Sequence, residues 1–173
     1  MSNKILVTYA TKAGSTTGVA EAIAQTLADS GAQVDIIPMQ EVQELTPYRA
    51  VVAGSAIRGD AWLPEAMQFV ETHQNELNQK PFAMFMVCMA LSMSNTDKHR
   101  TGIKAWLDPV RSLVRPVSEG YFAGGLDFRK LPRTRQTLML RLPVILRVWS
   151  EGDHRDWDAI HTWANDLPAL LEG

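Results

Sequence analysis

Val7-Thr8-Tyr9-Ala10-Thr11-Lys12-Ala13-Gly14-Ser15-Thr16-Thr17-Gly18 is the stretch on which the reading of this chain turns. It continues an apolar run, Ile5-Leu6-Val7, that reads as a buried strand, and it leads into an alanine-rich segment with helical spacing. Between strand and helix lie hydroxyls at Thr8, Thr11, Ser15, Thr16 and Thr17, one lysine, and glycines, with no carboxylate before Glu21. A helix N-terminus offers unpaired N–H groups and a partial positive charge. Hydroxyls add donors, and Gly14 lets the backbone approach a ligand closely. This is chemistry suited to a phosphomonoester. The same residues also suit an ordinary helix start, so the loop alone leaves both readings open.

Outward from this loop, strands and helices alternate. Lys4 to Ala10 is the first strand and Ser15 to Asp29 the first helix, with Val19, Ala20, Ile23, Ala24 and Leu27 on one apolar stripe and Gly31 at its stop. Val34 to Ile37, Ala50 to Gly54, Phe82 to Cys88 and Val117 to Ala123 read as further strands. Leu63 to Asn78 reads as a helix opened by Pro64 and Glu65, and another helix contains Ile103, Trp106, Leu107 and Val110. In the last helix Asp153 stands as the cap, with Asp156 three residues on. The strands are continuous apolar runs rather than alternating ones, which predicts a parallel sheet covered on both faces. The expected fold is α/β: a doubly wound five-stranded parallel sheet, order 2-1-3-4-5, in one domain spanning 1–173. In that order ligands bind at the strand ends beside the switch point, which selects the loops 8–16, 55–62 and 88–97.

Composition narrows the function classes. A hydrophobic content of 46% with 21% charged residues is ordinary for a globular chain, and a net charge of -2 gives no reason to expect a nucleic-acid partner. The single cysteine, Cys88, excludes an internal disulfide and a CxxC site, consistent with a reducing, cytoplasmic compartment. His73, His99, His154 and His161 are scattered without metal spacing, so no metal is expected. There is no GxxxxGK[ST], no GxGxxG after a strand and no nucleophile elbow.

Thr8-Tyr9-Ala10-Thr11-Lys12-Ala13-Gly14-Ser15-Thr16 resembles the phosphate loop of the flavodoxin family. Val51-Val52-Ala53-Gly54-Ser55-Ala56-Ile57-Arg58, with Gly59 and the helix start Leu63-Pro64-Glu65-Ala66, is similar to one branch: the flavodoxin-type, menaquinone-dependent protoporphyrinogen oxidases and their relatives. The resemblance runs nearly end to end and includes Ala123-Gly124-Gly125-Leu126. It implies flavin mononucleotide (FMN) as cofactor. It places the phosphate on Thr8, Thr11, Lys12, Ala13, Gly14, Ser15 and Thr16, and the ring between Ser55-Ala56-Ile57-Arg58-Gly59 and Cys88-Met89-Ala90-Leu91-Ser92. A flat ring needs apolar walls, which Ile57, Trp62, Met89 and Leu91 can supply. Arg58 beside the ring would stabilise negative charge on the reduced flavin and raise its potential, and Gly59 could turn its peptide toward the ring. Ordinary alternatives stand beside these roles: Arg58 as a solvated cation, Trp62, Met89 and Leu91 as core, Cys88 as a small buried hydrophobe.

The chain is nearly neutral, whereas electron-carrier flavodoxins are strongly acidic. It carries Gly59-Asp60-Ala61-Trp62 where the characterised oxidase has a Tyr-Gly pair after the arginine. Between Phe128 and Ser150 lie Arg129, Lys130, Arg133, Arg135, Arg141 and Arg147 among apolar residues and no acid. The combination makes 129–149 a candidate for peripheral membrane contact or for a quinone or tetrapyrrole carboxylate; the alternative is an insert packed on the sheet edge. Arg135, Arg141 and Arg147 step about 240° around a helix and share no face. The expected function is that of an FMN-dependent oxidoreductase with a small-molecule or quinone redox partner. An electron carrier without its own substrate and a non-enzymatic binding domain are the alternatives, and a homodimer is left open.

Overall fold

The computed structural model describes residues 3–93, 96–126 and 152–172. Strands β1 (Lys4–Ala10), β2 (Gln33–Pro38) and β3 (Tyr48–Arg58) are followed by the short β4 (Ala61–Trp62), then β5 (Phe82–Cys88) and β6 (Ser118–Ala123). The helices are α1 (Ser15–Asp29), α2 (Pro64–Thr72), α3 (Gln74–Leu77), α4 (Thr96–Ala105), α5 (Asp108–Arg111) and α6 (Trp157–Leu170). A two-stranded ribbon, β7 (Gly125–Leu126) with β8 (Gly152–Asp153), precedes α6.

The main sheet runs β2-β1-β3-β5-β6, all parallel, with β4 added antiparallel on the end of β3. Counting parallel strands alone, the order is 2-1-3-4-5, as the apolar runs predict. Successive side chains point to opposite faces. Ile5, Val7, Ala50, Val52, Phe85 and Val87 therefore pack with α1 and α6 on one face, while Leu6, Val51, Ala53, Met84 and Met86 pack with α2 and the α4–α5 region on the other. Every residue of β5 is buried. Burying one such side chain, Phe85 for example, stabilises the fold by about 1.5–3 kcal/mol. Gly54 has no side chain because Phe85 lies against it: a Cβ there would come within 2.0 Å of the ring.

Several elements differ from the sequence expectation. β3 does not stop at Gly54 but continues to Arg58 and folds back through Gly59-Asp60, so the expected loop 55–62 is largely a hairpin. Gly59 and Asp60 both have φ 60°, the geometry of a two-residue type I′ turn, whose twist matches paired strands. The second helix breaks at His73, whose ring lies 5.0 Å from Phe69. The next breaks at Trp106–Leu107, because Pro109 takes a first-turn position and starts α5 anew. Asp153 is not the final cap. Asp156 is: its side chain accepts from Ala159 N at 3.0 Å. The basic stretch 129–149 lies outside the described residues.

Candidate functional site

Parallel pairing sets the ends of β1, β3 and β5 side by side. Ala10 stands opposite Ser55, and Ser55 opposite Met86. The loops leaving these strands enclose a cleft of about 240 Å³ at the expected switch point. Thr11, Lys12, Ala13 and Ser15 form one end of its wall. The β3–β4 hairpin contributes Ala56, Ile57, Arg58 and Gly59, and the turn after β5 contributes Cys88, Met89 and Ala90.

At the phosphate-loop end, Gly14 adopts φ 86° and leads into α1 with no side chain capping the helix. Thr11 Oγ1 accepts from Gly14 N at 2.9 Å, which leaves the Thr11 hydroxyl proton available to a ligand. Thr8 Oγ1 and Thr16 Oγ1, on either side of the loop, are buried and have no hydrogen-bond partner among the described residues. A buried hydroxyl left so costs about 1–3 kcal/mol. Unpaired helix N–H groups, an uncommitted hydroxyl proton and two unpartnered buried hydroxyls fit a phosphate. Lys12 does not stand as a free cation: its Nζ is 3.1 Å from Glu65 Oε1, at the start of α2.

At the ring end the walls are apolar. Met89 and Ala90 face the hairpin residues Ala56 and Ile57, and the exposed Arg58 contributes a cation. Burial pushes the Cys88 thiol up to about 11, against backbone hydrogen bonds from Leu91 and Ala90, so it stays protonated at neutral pH. Sequence reasoning missed six lining residues: Asp60, Leu63, Val87, Trp106, Gly124 and Gly125. Trp106 reaches the cleft because the helix breaks there; the signal was Pro109 three residues on. Gly124-Gly125 stood in the sequence within the resembling stretch Ala123 to Leu126, and nothing local says that it passes the loop after β1. In the structure a Cβ at Gly124 would sit 3.6 Å from Ser15 Oγ and 3.7 Å from Met89 Sδ.

Other expected residues do not line the cleft. Ser55 is fully buried; its hydroxyl donates to Ala56 O at 2.7 Å and accepts from Leu63 N at 3.1 Å, tying the hairpin to the start of α2. Trp62, opposite Ile57 in the hairpin, is 2% exposed and packs in the core. Leu91 packs against the same core, and Ser92 closes the turn by donating to Met89 O at 2.7 Å. Thr8, Gly14 and Thr16 shape the phosphate loop as described above. Among the described residues no group of three or more His, Cys, Asp or Glu could hold a metal ion, and no helix is long and apolar enough to cross a membrane.

Three comparisons bear on the family and the fold. The chain is 25% identical to protoporphyrinogen IX dehydrogenase [quinone] of Escherichia coli K12 over 178 aligned positions, covering 98% of this chain and 97% of that protein. Its fold is similar to the flavodoxin of Streptococcus pneumoniae TIGR4, with TM-score 0.60 at 18% identity over 96% of this chain and 98% of that one. It is similar too to a flavodoxin from the domain Archaea, with TM-score 0.57 at 15% identity over 98% and 99%. The family model described as Flavodoxin domain matches residues 6–147, and by that match the chain belongs to the flavodoxin family, whose cofactor is FMN.

Proposed function

We propose that this chain is an FMN-dependent oxidoreductase that takes electrons from a reduced organic substrate and delivers them to a small lipophilic acceptor of the quinone class. The observation that carries this reading is the make-up of the ring end of the cleft. Ile57, Leu63, Met89 and Ala90 give it apolar walls, Trp106 adds an aromatic edge, and Arg58 is a cation at the exposed hairpin. An apolar cleft whose charged lining residues are Arg58, Asp60 and the paired Lys12 suits a small organic substrate better than it suits docking of a protein partner. The near-neutral charge of -2 supports the same choice. The quinone and the porphyrinogen named for the Escherichia coli relative are the acceptor and donor we assign as first candidates.

FMN supplies the two-electron chemistry when bound. The protein's part is to bind, orient and tune. Thr11, Ser15 and the first N–H groups of α1 hold the phosphate, with Thr8 and Thr16 as buried hydroxyls beside it. Ala56 to Asp60 of the hairpin and Met89-Ala90 of the turn would wall the ring. Arg58 favours added negative charge on that side of the cleft. Lys12 and Glu65 neutralise each other at 3.1 Å. Each turnover removes two electrons and two protons from the donor and converts one quinone to its quinol. Three turnovers take a porphyrinogen to the porphyrin.

The test is anaerobic mixing of the FMN-loaded protein with protoporphyrinogen and a soluble menaquinone analogue. Porphyrin fluorescence that rises only when protein and quinone are both present is the expected result. Loaded protein that accepts electrons from a chemical reductant but turns over neither compound would make it a carrier. A colourless protein that ignores added FMN would remove both readings.

A further inference from the structure

The start of α1 contains an arrangement that local rules disfavour twice. Gly18 sits in the first turn of α1, where glycine weakens a helix relative to alanine. A guanidinium, that of Arg155, lies against the same turn, at the end of the helix whose dipole repels cations. The two are linked. A Cβ at position 18 would lie 2.5 Å from Arg155 Nη1, so the glycine is what admits the arginine.

Arg155 is held from three sides. Its Nε and Nη2 donate to the two carboxylate oxygens of Asp153, each at 2.7 Å. Its guanidinium carbon lies 4.6 Å from the centroid of the Trp157 ring. Its Nη1 donates to the carbonyl of Ser15, the first residue of α1, at 3.4 Å. Asp153 belongs to β8, which pairs with Gly125, and the next residue, His154, donates from its N–H to Gly124 O at 3.2 Å. Contacts therefore run from the Gly124-Gly125 wall of the cleft through Asp153 and Arg155 to Ser15, whose own hydroxyl end lines the cleft.

A cation fixed by a dedicated carboxylate at the positive end of a helix, and admitted by a helix-weakening glycine, breaks local rules that a structure breaks at functional sites. A phosphate held at residues 11–16 would supply the reason. We propose that Arg155 is a positioning residue for the cofactor's phosphate: paired with Asp153, it holds Ser15 and the first turn of α1 in place, without itself touching the ligand. This rests on the reading that residues 11–16 take the FMN phosphate.

FMN and riboflavin share the ring and differ in the phosphate, so their affinities for the apoprotein separate the two ends of the cleft. Arg155→Ala is expected to weaken FMN about tenfold, because it frees Ser15 and leaves the Asp153 carboxylate unpaired near the phosphate, and to leave riboflavin unchanged. Arg155→Lys recovers part of the loss, because it restores charge without the bidentate fork. Gly18→Ala mimics Arg155→Ala in the native background, yet has no further effect on FMN binding once Arg155 is already alanine. The rise in FMN affinity as the phosphate loses its second proton, near pH 6, flattens in Arg155→Ala. Equal weakening of FMN and riboflavin, or additive effects of the two substitutions on FMN, would overturn the proposal. Gly18→Ala and Arg155→Lys keep the test open should Arg155→Ala fail to fold. Thr11→Ala and Ser15→Ala are the companion measurements. If they lower the FMN-to-riboflavin preference and Arg155→Ala does not, this inference falls alone; if neither they nor Arg155→Ala change it, the phosphate assignment falls with it.

Discussion

Ser55→Ala is a small change with a calculable consequence. The Ser55 hydroxyl is fully buried and bridges Leu63 N, at 3.1 Å, to Ala56 O, at 2.7 Å. It thereby closes the whole hairpin 56–62 onto the start of α2. Alanine keeps the backbone and nearly the same volume but strands the Leu63 N–H inside the protein. Leaving a buried donor unpaired costs about 1–3 kcal/mol. At about 2 kcal/mol the unfolding equilibrium shifts roughly thirtyfold. For a chain of this size Tm falls by roughly 4–8 °C. The apoprotein should be used for thermal and urea unfolding, since bound cofactor stabilises by mass action and would mask the loss. On the proposed reading the hairpin would orient the ring and not the phosphate. FMN and riboflavin should therefore weaken by the same factor, about fivefold if half of the lost interaction is drawn from binding. Ser92→Ala is the internal control: its hydroxyl donates to Met89 O in a half-buried turn, where water can replace it. A Tm within a degree of the native value, or a loss confined to FMN, would refute the role given to Ser55.

Three further predictions follow from the same geometry. Thr11→Ala and Ser15→Ala each weaken FMN by about tenfold, the size of one hydrogen bond to a charged group, and spare riboflavin; fluorescence quenching titrations with both ligands check this. Arg58→Gln lowers the two-electron flavin potential by about 20 mV, because an exposed charge near water dielectric is worth about 1 kcal/mol; a dye-coupled redox titration reads it, and an unchanged or higher potential contradicts the role. Arg111 hydrogen-bonds to Glu119 through Nε at 2.7 Å and Nη2 at 2.6 Å, and this holds the Glu119 carboxyl below the usual carboxylate range. A carboxylate with a lowered folded-state value contributes stability that is present above its unfolded value, near 4.3, and is lost as pH falls through the folded value. Urea midpoints should therefore drop below about pH 4 in the native protein and drop less in Glu119→Gln.

The sheet was legible because strand burial is written in the strand itself. Phe82 to Cys88 is apolar at every position, and such a run belongs between two layers whatever its neighbours. Helix α1 was legible to its end residues, since its apolar stripe and the glycine after it are local signals. The donor-rich junction between β1 and α1 was legible for the same reason: its hydroxyls lie close together in the sequence. What failed was also local in origin. Asp153 and Asp156 are both caps by type, and only the chain's return past Gly124 decides that Asp153 pairs with Arg155 instead.

By itself, then, the sequence determined the alternation of buried strands and amphipathic helices and the place of the switch-point loop. Each depends on residues within one turn or one strand of each other. The tertiary structure decided which distant residues share the cleft. It brought in Trp106 and Gly124, put Trp62 in the core, paired Lys12 with Glu65 and set Arg155 behind Ser15. The physical reason is that a side chain's neighbours across the sheet are fixed by register and by where helices break. Those depend on packing summed over the whole chain and not on any short stretch of it.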